Sequence, residues 1–223
     1  MTPLLEAHGV ERSFQIGPKA VQALAPVSLT VSACEFLMIT GPSGSGKSTL
    51  LNLLSGLDRP TRGDVLFKGQ SLFSRKEEQR VHIRNSCFGF IFQTPHLLPD
   101  KTILENIGLP FHYGEAADSD DAWSRCQDLL EYVGLSPLAE RYPNTLSGGE
   151  MQRVVFARAL VREPEVIFAD EPTGSLDGDN SRRLLELLRE QAENGRTIIM
   201  VSHDDEALSY GTTTLRLDKF KAG

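Results

Sequence analysis

Apolar residues in this chain follow two kinds of pattern, and the change from one to the other divides it. Leu4 to Phe14 and Val21 to Val31 mix apolar and polar positions around a break at Gly17-Pro18, which predicts two strands joined by a turn. Gly63 to Gly69 reads as a third short strand bounded by glycines, and the three are expected to pair as an antiparallel layer. Phe36-Leu37-Met38-Ile39, Cys87 to Phe92, Glu165 to Asp170 and Thr197 to Val201 are instead continuous apolar runs. Such runs are buried on both faces and predict a parallel sheet covered by helices.

Helices are predicted where polar caps precede apolar positions at helical spacing. Ser74-Arg75-Lys76-Glu77 has capping-box spacing and starts a helix to about Asn85; Thr102-Ile103-Leu104-Glu105 is a second such box. Ser119-Asp120-Asp121 opens a helix carrying Trp123, Cys126, Leu129, Leu130 and Val133, closed by Gly134. Trp123 is read as core, and the acidic Glu115 to Asp121 run as a solvated loop and helix start. Asn180 to Glu193 is amphipathic and stops at Gly195. Between Thr94 and about Leu160 no strand is predicted. The expected fold is therefore α/β: residues 1–93 and 161–223 form the parallel-sheet core with its β-layer, and 94–160 form an inserted helical subdomain.

Composition narrows the partners. The chain has 223 residues and a formal net charge of −7, so no basic excess exists to neutralise nucleic acid or an anionic membrane surface. No apolar run approaches the ~18 residues of a spanning helix, so no direct membrane insertion is expected. The N-terminus lacks the pattern of an export signal. Cys34, Cys87 and Cys126 lack zinc-site spacing and are expected to be reduced core residues of a cytosolic protein.

The chemistry centres on Gly41-Pro42-Ser43-Gly44-Ser45-Gly46-Lys47-Ser48-Thr49, set between an apolar strand and the helical Leu50 to Leu54. Glycines let successive N–H groups turn inward above the positive end of a helix, which is a phosphate cradle. Lys47 is expected to reach the β- and γ-phosphates of a nucleoside triphosphate, and the Ser48 hydroxyl to sit on Mg²⁺. Asp170 and Glu171 end a strand where an α/β sheet places its ligands; Asp170 suits a hold on Mg²⁺ and Glu171 a general base. His203 follows the last core strand at its C-terminal edge and is read as a γ-phosphate contact. Gln93, also at a strand end, has an amide able to ligate Mg²⁺ or orient water. A second glycine turn, Leu146-Ser147-Gly148-Gly149-Glu150, opens a capped helix running to Val161 before Pro164. One nucleotide does not need two such cradles. Sharing resolves this: a homodimer closes over two nucleotides, each between one copy's Lys47 loop and the other's Ser147 turn.

In order and spacing, Gly41 to Thr49, Gln93, Leu146 to Glu150, Val166 to Glu171, Ser175-Leu176-Asp177 and His203 resemble the ATP-binding cassette (ABC) proteins, across essentially the whole chain. The resemblance implies ATP and Mg²⁺, with Gln93 as the Q-loop residue, Glu171 as the catalytic carboxylate and His203 as the switch histidine. It further implies that Asp177 connects the two sites of the dimer and that Phe14 stacks on adenine. Ala20 to Leu24, Leu53 to Gly63, Gly89 to Gln93 with His96 to Pro99, and Ala169 to Asp177 are similar to the lipoprotein-releasing and macrolide-exporter group (LolD/MacB type). Ser175 replaces a commoner Asn there, and Met151 a usual polar residue. What this implies is an ATPase subunit on the cytoplasmic face of a bacterial inner membrane, its helical subdomain docked on permease subunits. Leu97, Leu98, Ile103, Ile107 and Leu109 supply apolar contacts there. The alternatives are an importer ATPase and a regulatory ATPase of the cell-division type. A soluble DNA-repair or translation ATPase carries coiled-coil insertions or fused cassettes that this sequence lacks.

Overall fold

The run Phe36–Thr40 forms strand β3 of a computed structural model that describes residues 3–113 and 120–219. Its first four residues are buried, as continuous apolar runs require. It lies in the first of two units, residues 1–81 with 189–223. There β3 pairs in parallel with β8 (Thr197–Val201) through Ile39 opposite Val201, and on its other side with β9 (Thr213–Arg216) through Thr40 opposite Arg216. Helix α1 (Lys47–Leu54) follows β3 and touches β8 and the strands β1 (Leu5–Ile16) and β2 (Lys19–Val31). Its Leu50, Leu51, Leu53 and Leu54 are all fully buried, each contributing about 1.5–3 kcal/mol of apolar burial.

The same unit carries an antiparallel sheet. Strands β1 (Leu5–Ile16) and β2 (Lys19–Val31) form a long hairpin, and β1 pairs on its other edge with β4 (Arg62–Phe67). This is the expected three-strand layer with one addition, β5 (Gln70–Ser71), which pairs with β4. Its two residues are too short to leave a period.

The second unit, residues 82–188, pairs β6 (Phe88–Phe92) in parallel with β7 (Val166–Asp170). Helices α3 (Ile103–Gly108) and α4 (Asp120–Tyr132) pack on α5 (Gly148–Leu160), which in turn packs on β6. Asn106 is fully buried and fastens the chain ahead of α3: Oδ1 accepts from Leu98 N, and Nδ2 donates to the carbonyls of Leu98, Lys101 and Thr102. The Thr102 capping box is present in both directions. Between 94 and 160 the described residues hold no strand.

Several sequence expectations are corrected. The helix foreseen from Ser74 is α2 (Glu77–Cys87), starting three residues later. Ser74 instead closes a turn with Ser71, and the helix start is served by Gln79, whose Oε1 accepts from Lys76 N. The chain continues after His203 with α7 (Asp205–Leu208) and β9, so β8 is not the last core strand. Cys126 is buried, its thiol pushed up to about 11 by burial, but Cys34 is exposed in a left-handed turn (φ 63) before β3 and is not a core residue. Trp123 is half-buried against Gly108, and of the apolar set after Gln93 only Ile103 and Ile107 are core, Leu98 being 41% exposed. Ser119 and most of the acidic run lie outside the described residues. The remaining helix, α6 (Gly178–Glu193), ends before Gly195 as expected.

Candidate functional site

In the first unit, the β3–α1 connection and the end of β8 emerge at one edge of the parallel strands. Ile39 pairs with Val201, Ser202 N donates to Ile39 O, and His203 is exposed immediately beyond. The loop leaves no room for a side chain at either end: a Cβ would sit 2.2 Å from the Leu217 carbonyl oxygen at Gly41 (φ 142) and 2.6 Å from the Ala23 carbonyl oxygen at Gly46 (φ 92). Gly46 is also the cap of α1 and, having no side chain, makes no cap bond to the helix's first turn. The Ser45 hydroxyl is buried without a partner in the same loop. Lys47 Nζ lies 2.9 Å from Gly41 O and 3.3 Å from Pro42 O, curled over the loop's own carbonyls. A glycine-capped helix start, an orphaned hydroxyl and a folded-back ammonium fit a phosphate chain. Phe14 is 41% exposed and pairs with Val21, two residues along β2 from Ala23; the Arg12 guanidinium lies 4.4 Å from its ring centroid.

In the second unit, Phe92 pairs with Asp170, so Gln93 and Glu171 leave neighbouring strands side by side. Gln93 is exposed and lies over Gly174, where a methyl group would sit 2.9 Å from its Nε2. Gly174 N donates to Glu171 O. Glu171 adopts φ 47, a left-handed backbone that costs a non-glycine residue about 1–3 kcal/mol and clusters at functional sites.

The turn before α5 has its expected box: Ser147 N and Oγ both donate to Glu150 Oε2, and Glu150 N donates to Ser147 Oγ. These bonds from Ser147 hold the Glu150 carboxyl below its ordinary value. Ser147 and Gly148 are exposed, whereas the helix beyond is mostly buried. Asp177 accepts from the backbone and side-chain nitrogens of Asn180, which lowers its pKa. Asn180 Oδ1 in turn accepts from Arg153 Nη1 at 3.0 Å.

Sequence reading missed Asn180 and Gln152. Gln152 shares a helix face with Val155, Phe156 and Ala159, so its burial was legible in the spacing. Nothing local marked Asn180.

The Asn180 contacts give a stability prediction. A Cβ on Gly149 would lie 2.2 Å from Asn180 Oδ1 and 2.3 Å from its Cγ. Gly149→Ala is expected to cost about 1–3 kcal/mol, because a short side chain pinned by hydrogen bonds cannot yield. Asn180→Ala in the same chain removes the collision, so the two changes sum to less than their separate costs in denaturant unfolding. Strict additivity would show that the two side chains do not meet.

Among the described residues no helix is long and apolar enough to cross a membrane, and no group of three His, Cys, Asp or Glu side chains is placed to hold a metal ion. The family model for ABC transporters matches residues 24–174. The macrolide export ATP-binding/permease protein MacB of Chlorobium phaeobacteroides is 46% identical over 94% of this chain, which spans only 32% of that relative's length. The lipoprotein-releasing system ATP-binding protein LolD of Alcanivorax borkumensis is 44% identical over 92% of this chain and 90% of its own. Among solved structures, a dimeric bacterial ABC transporter cassette has TM-score 0.89 and 36% identity, covering 96% of this chain and 94% of its own. A dimeric post-hydrolysis state bound to ADP and Pi has TM-score 0.89 and 34% identity over 97% of both chains.

Proposed function

The chain belongs to the ABC transporter family, and from that premise we propose that it is the ATP-hydrolysing subunit of a bacterial inner-membrane transporter of the lipoprotein-releasing or macrolide-export type. The observation that carries the reading is the open Ser147-Gly148 start of a helix that is otherwise mostly buried, in a chain that already has a phosphate-type loop at 41–49. Two copies would close over two ATP molecules, each between one copy's 41–49 loop and the other's Ser147 to Glu150 turn.

In this reading the positive end of α1 and the Lys47 ammonium hold the phosphate chain, and Phe14 stacks on the base. Glu171 takes a proton from the attacking water, Gln93 orients that water, and His203 contacts the γ-phosphate. Asp177 connects the two sites. Mg²⁺, held by Ser48, Asp170 and Gln93 together with the phosphates, would neutralise charge on the transferred group. We place the partner-docking surface on the helical segment 94–160, whose exposed Leu98 follows Gln93 by five residues, and the subunit at the cytoplasmic face of the membrane.

Purification of the tagged chain from detergent-solubilised membranes of its own host tests the assignment. The expected companion, identified by mass spectrometry, is an integral membrane protein with four spanning helices and a large external domain. A many-helix permease with a solute-binding protein would move the chain to the importers, and a companion that moves no substrate to the regulatory class. Recovery without any membrane protein would overturn all three.

A further inference from the structure

Gln152 is 1% exposed, on α5 five residues past Ser147. Its Nε2 donates both hydrogens to backbone carbonyls, Phe92 O and Pro172 O, each at 2.8 Å. Phe92 directly precedes Gln93, and Pro172 directly follows Glu171. Its Oε1 is buried without a hydrogen-bond partner. An orphaned buried acceptor is unfavourable, and a methionine would fill the same volume without one. The nitrogen, and not packing, therefore explains a glutamine here.

Phe92 opposite Asp170 is the last registered pair of β6 and β7. Beyond it the ladder no longer sets the separation of the two segments, yet Gln93 and the left-handed Glu171 are the next residues out. One side chain takes over where the ladder stops. That side chain grows from the helix that begins at the Ser147 turn, about a turn and a half away.

We propose that Gln152 is a positioning residue for ATP hydrolysis, fixing the spacing of Gln93 and Glu171 and tying that spacing to α5. Resting on the two-copy arrangement above, it has a consequence. The Ser147 turn of one copy serves one nucleotide while the Gln93–Glu171 pair of the same copy serves the other. Gln152 thus links turnover at one site to engagement at its twin.

Gln152→Met in the full chain tests this. Fluorescent-ATP binding to the dilute protein, which reads the 41–49 loop, is expected to stay within about 2-fold of the parent. In steady state, kcat should fall by about 100-fold with KM little changed, the signature of misplaced groups, not of lost binding. The Hill coefficient for ATP should drop from above unity toward one. Parent-like kcat would overturn the positioning role, and a Hill coefficient that is equal in parent and variant would overturn the link between sites. If Gln152→Met does not fold, Gln152→Glu replaces it: protonated, it donates one of the two bonds; ionised, it repels both carbonyls. Its kcat relative to the parent should then rise as pH falls, and a flat ratio would overturn the proposal. Failure of the ATP-dependent dimer to form in Glu171→Gln would remove the two-copy reading alone, leaving the kcat result to stand on its own.

Discussion

Glu171→Gln is expected to bind ATP as the parent does and to lose about 10²–10⁴-fold in turnover, the usual contribution of a positioned general base. Glutamine keeps the length and planarity of the carboxylate, so the left-handed backbone at Glu171 (φ 47) and the hydrogen bond from Gly174 N to its carbonyl should persist. Only the capacity to accept a proton from water is lost. With hydrolysis stopped, the closed form should accumulate, and size-exclusion chromatography with ATP should show a dimer that the parent forms only transiently. Full turnover would remove Glu171 from the reaction. Lost turnover without an ATP-dependent dimer would instead retain the base and discard the two-copy geometry.

This prediction rests on residues legible in the sequence, because each follows an apolar strand or a capping box. Strand ends are visible as a change of period, and Gln93, Glu171 and His203 each follow one. The Ser147 and Thr102 boxes are visible because the cap and its partner lie three residues apart, and both are formed. Where the reading failed, a competing local bond or a tertiary contact decided, or the element was too short to show a period. Ser74 had the spacing of a cap but bonds to Ser71, whose own hydroxyl is shared with Asp64. The β9 strand, with no residue fully buried, lacks the apolar run that marked β3 and β8. Gln152 and Asn180 act across 60 and 27 residues of sequence, on Phe92 and Arg153 respectively, and no local window contains such a contact.

Lys47→Ala is expected to weaken ATP binding by about 100-fold, the loss of one or two charge-assisted hydrogen bonds to phosphate. The lysine's bonds to Gly41 O and Pro42 O, at 2.9 and 3.3 Å, are bonds to the loop it would close over the phosphates. They are neutral acceptors, and a doubly charged phosphate displaces them readily. Because Lys47 is only half-buried and the helix behind it is held by four buried leucines, the unfolding midpoint of the variant should change little. That separates a lost ligand from a lost fold. Titration with a fluorescent ATP analogue reads the affinity directly, and Lys47→Arg is a sharper control. It keeps the charge but replaces a compact ammonium with a planar fork of different donor geometry, so charge alone should recover only part of the binding. An affinity unchanged in Lys47→Ala would mean that the 41–49 loop does not hold phosphate. The Ser147 turn would then have no counterpart to share a nucleotide with.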